Sequence, residues 1–171
     1  GSSAAPSSPG GVPSIVGSVD ASTWERLALA PRVVAPTDPV AGHALVLATI
    51  RAGAIVSAAV EGSLVVGLAI VGPMEADRRR ELLAVGVAPS HRRRGLAAAL
   101  LTTSTGNRPH DIEITAEVTL AERDPIEPLD RATRATVARR LLERAGFAMR
   151  PSDADVRAAD PGATRAVLDS H

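Results

Sequence analysis

Three apolar segments lie close together in the middle of the chain, and they restrict the fold more than any other feature. Residues 54–60 and 63–71 are rich in Ala, Val, Leu and Ile, and a two-residue connection ending in Gly62 separates them, which predicts a β-hairpin. Gly67 interrupts the second strand, so a bulge or a close backbone approach is expected there. A third strand, 81–88, follows a polar loop. Strands joined by short loops pair antiparallel, so these segments predict an antiparallel sheet.

Helices and further strands are predicted on either side of this region. An apolar segment over 94–105 predicts a buried helix, and a stripe of Ala and Leu over 131–145 predicts a second helix that ends at Gly146. Between them, residues 111–119 alternate between apolar and polar side chains, as in a half-buried strand. Less regular patterns predict strands at 14–18, 147–151 and 164–169, and helices near 21–30 and 40–52. The sum is an α/β fold of the α+β type, with a largely antiparallel central sheet flanked by helices.

The composition predicts a folded chain without a strong charge preference. Hydrophobic residues make up 45% of the 171 residues, which excludes disorder throughout and suffices for one domain with its own core. Lys+Arg and Asp+Glu number 19 each, so no net field indicates binding to nucleic acid or to an anionic membrane. Residues 1–12 are rich in Gly, Ser, Pro and Ala and predict a flexible tail, which leaves 13–171 as a single domain. No membrane span or signal peptide is apparent, so a soluble cytoplasmic protein is expected.

The loop after strand 81–88 carries the pattern with the clearest chemistry. It runs from Pro89 through His91 and three arginines to Gly95, and then enters the apolar helix. The first N–H groups of a helix have no intrahelical partner and lie at the positive end of its dipole, an arrangement that binds phosphate. Gly95 allows another group to approach the backbone closely, and the arginines add charge and bidentate donors. The segment therefore predicts a pyrophosphate site, although a solvated basic turn would have the same residues.

The pattern Val87-x-Pro89-x-x-Arg92-x-x-Gly95-x-Ala97 resembles the signature of the GNAT superfamily of acetyltransferases. Helix 131–145, which runs into Gly-Phe and then a strand, resembles the closing element of that family. The resemblance implies a GNAT-like mixed sheet and acetyl-CoA as cosubstrate, with no metal. It implies that the residues at the pyrophosphate are Arg92, Arg93, Arg94, Gly95, Leu96, Ala97 and Ala98. It implies that the residues along the pantetheine arm are Val85, Gly86 and Val87.

The reaction that the resemblance implies needs a base. An amine with a pKa of about 10.4 is almost wholly protonated at pH 7, and a carboxylate can remove the proton directly or through water. Glu81 is the first candidate, because it opens the cofactor strand on the same face as Val85, and its spacing from Arg92 resembles that of the glutamate often used in the family. An exposed strand-edge Glu without a catalytic role is the other interpretation. Weaker candidates are Glu113, Glu117, His91 and His110.

One position departs from the family pattern. Many members carry a Tyr four residues before the Gly of Gly-Phe, as the acid for the departing thiolate, but this position is Leu142 and the chain contains neither Tyr nor Cys. Ser104, His110 or water would have to serve instead. A thiol with a pKa near 8.5 is already a tolerable leaving group, so turnover need not be lost.

Three functions follow as hypotheses. The first is transfer of an acetyl group from acetyl-CoA to a primary amine, by direct attack on the thioester. The alternative is a catalytically weak acyl-CoA-binding module with a sensing or partner role, and the third is a basic-loop interaction protein unrelated to coenzyme A. The acceptor would be a small-molecule or peptide amine, and the oligomeric state stays open, with a homodimer as one option. A cationic acceptor is indicated by Glu122, Asp124, Glu127 and Asp130.

Overall fold

The computed structural model describes residues 13–34, 38–106, 108–109, 111–118, 131–160 and 163–169. The predicted tail over 1–12 and the acidic loop over 120–130 lie outside these residues. The contacts divide the chain into two compact units, Gly1–Pro73 with Leu83–Asn107, and Met74–Leu82 with Arg108–His171. The single domain over 13–171 stays a prediction.

The first unit contains three α-helices and the strands of the predicted hairpin. Its elements are β1 (Ser14–Val16), α1 (Ala21–Glu25), β2 (Ala28–Leu29), α2 (Pro39–Arg51), β3 (Ile55–Glu61), β4 (Leu64–Val71), the second half of β5 (Arg79–Val87) and α3 (Leu96–Gly106). β3 pairs antiparallel with β1 and with β4, while β2 pairs parallel with β4. Glu61 pairs with Leu64, so the hairpin connection is Gly62-Ser63, one residue later than predicted. Gly62 there has φ +66, a conformation that favours glycine.

The bulge expected at Gly67 is confirmed. Ala59 pairs with Gly67 and Val60 with Val65, which leaves Val66 as the extra residue of β4. The Val66 carbonyl accepts the N–H of Ala88, at the end of β5, at 2.8 Å. The bulge in β4 is therefore hydrogen-bonded to the residue that follows β5.

Helix α1 is shorter than predicted because the chain returns to the sheet. Its first turn is capped by Asp20, which accepts the N–H of Thr23 at 2.8 Å, and this bond lowers the pKa of the Asp20 carboxyl. Beyond Arg26 the chain forms β2 against β4, so helix and strand share the segment predicted as helix alone. Trp24 is fully buried, and its indole N–H donates to the carbonyl of His43 in α2 at 3.0 Å.

The second unit contains the remaining strands and two helices. Its elements are the first half of β5, β6 (Glu113–Val118), α4 (Arg131–Arg144), β7 (Ala148–Pro151), α5 (Ala154–Ala159) and β8 (Thr164–Leu168). β6 pairs parallel with β5, whereas β8 pairs antiparallel with both β6 and β7. Thr115, predicted on the polar face of its strand, is buried. The end of α4 is confirmed: Gly146 has φ +98, and the N–H of Phe147 returns to the carbonyl of Leu142 at 3.0 Å.

Antiparallel pairing predominates among these strands. α3 packs on β3 and β4 in the first unit, and α4 packs on β6, β7 and β8 in the second. The predicted α/β fold, largely antiparallel with flanking helices, is confirmed. Across the described ranges, every helix is too short or too polar to cross a bilayer.

Candidate functional site

The loop between β5 and α3 has an unusual backbone. A short 3-10 helix covers Pro89–His91, and Arg93 and Gly95 then have φ +65 and +76. Left-handed residues cannot belong to an α-helix, so α3 begins at Leu96, two residues later than predicted. Turns of this kind orient successive N–H groups to one side and form concave sites for anions.

The first amides of α3 have no hydrogen-bond partner among the described residues. The first intrahelical bond runs from the N–H of Ala99 to the carbonyl of Gly95 at 3.1 Å. We call the N–H groups of Leu96, Ala97 and Ala98 the amide cluster; among the described residues none of them has a hydrogen-bond acceptor.

The surroundings of the amide cluster are open and positive. Gly95 is exposed, and an ideal Cβ on it would meet nothing within 4 Å. The side chains of Arg93 and Arg94 are exposed on the same loop. These features fit the diphosphate of a coenzyme A molecule, which needs N–H donors, room and positive charge.

Arg92 differs from its two neighbours. It is half-buried, and its Nε donates to the carbonyl of Val87 at 3.1 Å. Its guanidinium therefore ties the loop to the last residue of β5. Sequence reasoning grouped the three arginines together, because the direction of a side chain in an irregular loop has no sequence signal.

The backbone polar groups of the three residues predicted along the pantetheine arm do not all face the same edge of β5. The N–H of Ala88 turns toward β4, and the Gly86 carbonyl lies 3.3 Å from the position that a Cβ on Gly67 would take. The Val87 carbonyl turns to the other edge, where it accepts from Arg92. Because successive strand residues direct their polar groups to opposite edges, Val85 shares the edge of Val87 and Gly86 does not.

Gly86 has a packing role. An ideal Cβ on this residue would lie 1.7 Å from the carbonyl oxygen of Val33, which is itself buried. Only glycine allows the backbone around Val33 to lie this close to β5. Sequence reasoning missed this contact, because an isolated glycine in a strand indicates a close approach without naming the partner.

A second loop contact involves Glu61, which sequence reasoning also missed. The carboxylate of Glu61, at the end of β3, lies 3.0 Å from Nε2 of His91, and Nδ1 of His91 lies 2.8 Å from the Ser90 hydroxyl. His91 was predicted as a weak catalytic candidate more typical of a surface loop. It is only 14% exposed and links the loop to the hairpin.

The candidate base, Glu81, lies in the second unit. It is half-buried and pairs in register with Thr115 of β6. No described residue forms a hydrogen bond or salt bridge with its carboxylate. Glu113 is half-buried on β6, while His110 and the side chain of Glu117 lie outside the described residues.

The structure also describes the acid candidate Ser104, the residue at the position of the usual Tyr acid, and the arrangement of possible metal ligands. Ser104 lies in the second half of α3, where its hydroxyl donates to the buried Ser57 hydroxyl at 3.1 Å. Leu142 is buried in α4. In the part of the chain that the structure describes, no three His, Asp or Glu side chains come together as metal ligands.

Comparisons with known proteins agree with this geometry. The model of the acetyltransferase (GNAT) family matches residues 24–105, and no curated protein matches the chain in sequence. An acetoin utilization protein from Exiguobacterium sibiricum 255-15 superposes with a TM-score of 0.76 at 17% identity, covering 90% of this chain and 78% of that chain. A Desulfovibrio desulfuricans protein described as a GNAT-family acetyltransferase gives a TM-score of 0.54 at 22% identity, covering 92% and 99%.

A third structure is YncA from Salmonella typhimurium, described as an acetyltransferase with its cofactor acetyl-CoA. It gives a TM-score of 0.54 at 18% identity, covering 93% of this chain and 94% of that chain. At such identities these structures show a shared fold. The family model adds sequence similarity over the segment that contains the hairpin, the β5–α3 loop and the amide cluster. Residues 24–105 therefore form a segment of the acetyltransferase (GNAT) family, within a fold that the chain shares with these structures.

Proposed function

We propose that this chain transfers an acetyl group from acetyl-CoA to a primary amine of a small-molecule or peptide acceptor. The observation that carries the proposal is the amide cluster, three unengaged N–H groups at the positive end of α3 beside the exposed Arg93 and Arg94. The match of residues 24–105 to the GNAT family supports acyl transfer, and the presence of acetyl-CoA in YncA supports this cosubstrate.

In this proposal each residue has a defined task. The amide cluster, together with Arg93 and Arg94, would hold the diphosphate, and the edge of β5 with Val85 and Val87 would pair with the pantetheine arm. Bound acetyl-CoA supplies an acetyl group activated as a thioester. Glu81 would take a proton from the acceptor ammonium group, so that a neutral nitrogen forms the new bond to the acetyl carbon while the carbon–sulfur bond breaks. Coenzyme A would leave as a thiolate, which would take up the second proton of the nitrogen through water.

Binding of the cosubstrate is tested directly by thermal unfolding. Acetyl-CoA at a hundred times its Kd should stabilise the protein by about 2.7 kcal/mol. For a chain of this size this raises the Tm by several degrees. Free adenosine, which lacks the diphosphate, should give no comparable shift. An unchanged Tm at millimolar acetyl-CoA would refute the proposal.

The role of Glu81 is tested by Glu81→Gln, which keeps the shape of the side chain and removes its basicity. We expect a fall in the rate of thiol release of about 100-fold with a responsive amine, since a positioned general base contributes this much or more. The Kd of acetyl-CoA should not change. Glu25→Gln, an exposed carboxylate outside the proposed site, is the control and should keep the wild-type rate. Equal rates for the wild type and Glu81→Gln would remove Glu81 from the mechanism.

A catalytically weak acyl-CoA-binding module is the second candidate, because a buried Leu142 occupies the position of the usual Tyr acid. A panel of amines separates the two functions. Binding of acetyl-CoA without thiol release above the uncatalysed rate for any amine would support the binding module, whereas release with one class of amine supports the transferase and identifies the acceptor class.

A further inference from the structure

We propose that Glu61 is a positioning residue for the diphosphate site and acts through His91. This inference rests on the proposed function, because it concerns the same cosubstrate. Glu61 ends β3, in a different part of the sequence from the loop, and its carboxylate lies 3.0 Å from Nε2 of His91. The side chain of Glu61 carries no positive charge that would attract a phosphate, so its role must be exerted through the loop.

The hydrogen bonds define how the contact works. An ionised carboxylate can only accept, so Nε2 of His91 carries a proton and donates it to Glu61. Nδ1 then accepts from the Ser90 hydroxyl, or donates to it when the imidazole is charged, because a hydroxyl can do either. The contact therefore persists in both protonation states of His91.

The contact between Glu61 and His91 lies just before the turn that leads to the amide cluster, so it can fix the position of these N–H groups. His91 is bound to the hairpin, and Arg92 is bound to the carbonyl of Val87, so two consecutive residues are anchored. The next residue, Arg93, is the first left-handed residue of the turn that leads to Gly95 and α3. The side chains of His91 and Glu61 are 14% and 29% exposed, so the contact is more shielded from water than a typical surface pair.

The direction in which the Kd of acetyl-CoA changes when Glu61 is substituted separates a positioning role from a purely electrostatic one. Glu61 is negative and contacts the loop that would bind a diphosphate, so its charge alone opposes binding. If charge were its only influence, both Glu61→Ala and Glu61→Gln would bind acetyl-CoA more tightly. If Glu61 positions the loop, Glu61→Ala weakens binding, whereas Glu61→Gln keeps an acceptor for Nε2 and does not.

The test measures the Kd of acetyl-CoA by calorimetry for the wild type and the variants. We expect Glu61→Ala to raise the Kd about tenfold, corresponding to the loss of one charge-assisted hydrogen bond. Glu61→Gln should stay within about twofold of the wild type. His91→Ala and the double variant Glu61→Ala/His91→Ala should equal Glu61→Ala, because residues that act as one unit are not additive. Glu25→Ala, which removes the same charge from an exposed pair with Arg51, is the matched control.

A second ligand distinguishes positioning from a general loss of structure. S-acetyl-pantetheine lacks the diphosphate, so its affinity, measured by competition, should be the same in the wild type and in Glu61→Ala. Equal losses for both ligands, or a Kd of acetyl-CoA in Glu61→Ala that is unchanged or lower, would overturn the inference. A wild-type protein that does not bind acetyl-CoA would instead overturn the proposed function, and the inference with it.

Discussion

Gly95→Glu is expected to raise the Kd of acetyl-CoA by about 100-fold or more, which is about 2.7 kcal/mol of binding free energy. Two effects combine. Gly95 has φ +76, a conformation that costs a residue with a Cβ about 1–2 kcal/mol. The new carboxylate would also lie beside the amide cluster, where it repels a diphosphate and competes with it for the N–H groups.

The fold should survive this substitution, because the Cβ position of Gly95 is open. Gly95→Gln is the control: it has the same size and the same backbone strain, so the difference between the two variants isolates the charge. We expect Gln to weaken binding by about tenfold at most, as its strain predicts. Calorimetry with acetyl-CoA and a circular-dichroism spectrum of each variant provide the measurement. Equal affinities for Glu and Gln would show that the diphosphate does not lie at this turn.

Gly86→Ala is expected to lower the free energy of unfolding by about 3 kcal/mol, the upper range for overpacking a close-packed core. The added methyl would lie 1.7 Å from the carbonyl oxygen of Val33, and a backbone group cannot rotate away as a side chain can. For a chain of this size, the Tm should fall by about 6–12 °C.

The matched control for this prediction is Gly106→Ala, at the end of α3. An ideal Cβ there meets nothing within 4 Å, so its effect should stay within about 0.5 kcal/mol, as for most surface substitutions. Both variants are compared by thermal and denaturant unfolding without ligand. A Tm for Gly86→Ala within about 1 °C of the wild type, less than 0.5 kcal/mol for this length, would show that Val33 does not lie against β5.

Local signals in the sequence determined most of the elements that carry the proposed site. The β3–β4 hairpin, the bulge beside Gly67, the turn from β5 into α3 and the Gly146 end of α4 were all predictable. In each case a periodic apolar pattern or a glycine at a turn acts over a few neighbouring residues, so a short stretch of sequence is enough to specify the feature. The family was inferred from the resemblance of the residues around Arg92 and Gly95 to a known signature, which also lies within one short segment.

Only the tertiary structure decided how these elements meet. Glu61 contacts His91 across 30 positions of sequence, and Val33 lies against Gly86. The elements β2 and α5 are too short to show a periodic pattern of apolar residues. Thr115 is buried although it occupies a polar position in the alternating pattern of its strand. The physical reason is the same for all of them. A side chain's partner depends on where distant elements pack, and a contact between them is formed only after the loop between them has closed.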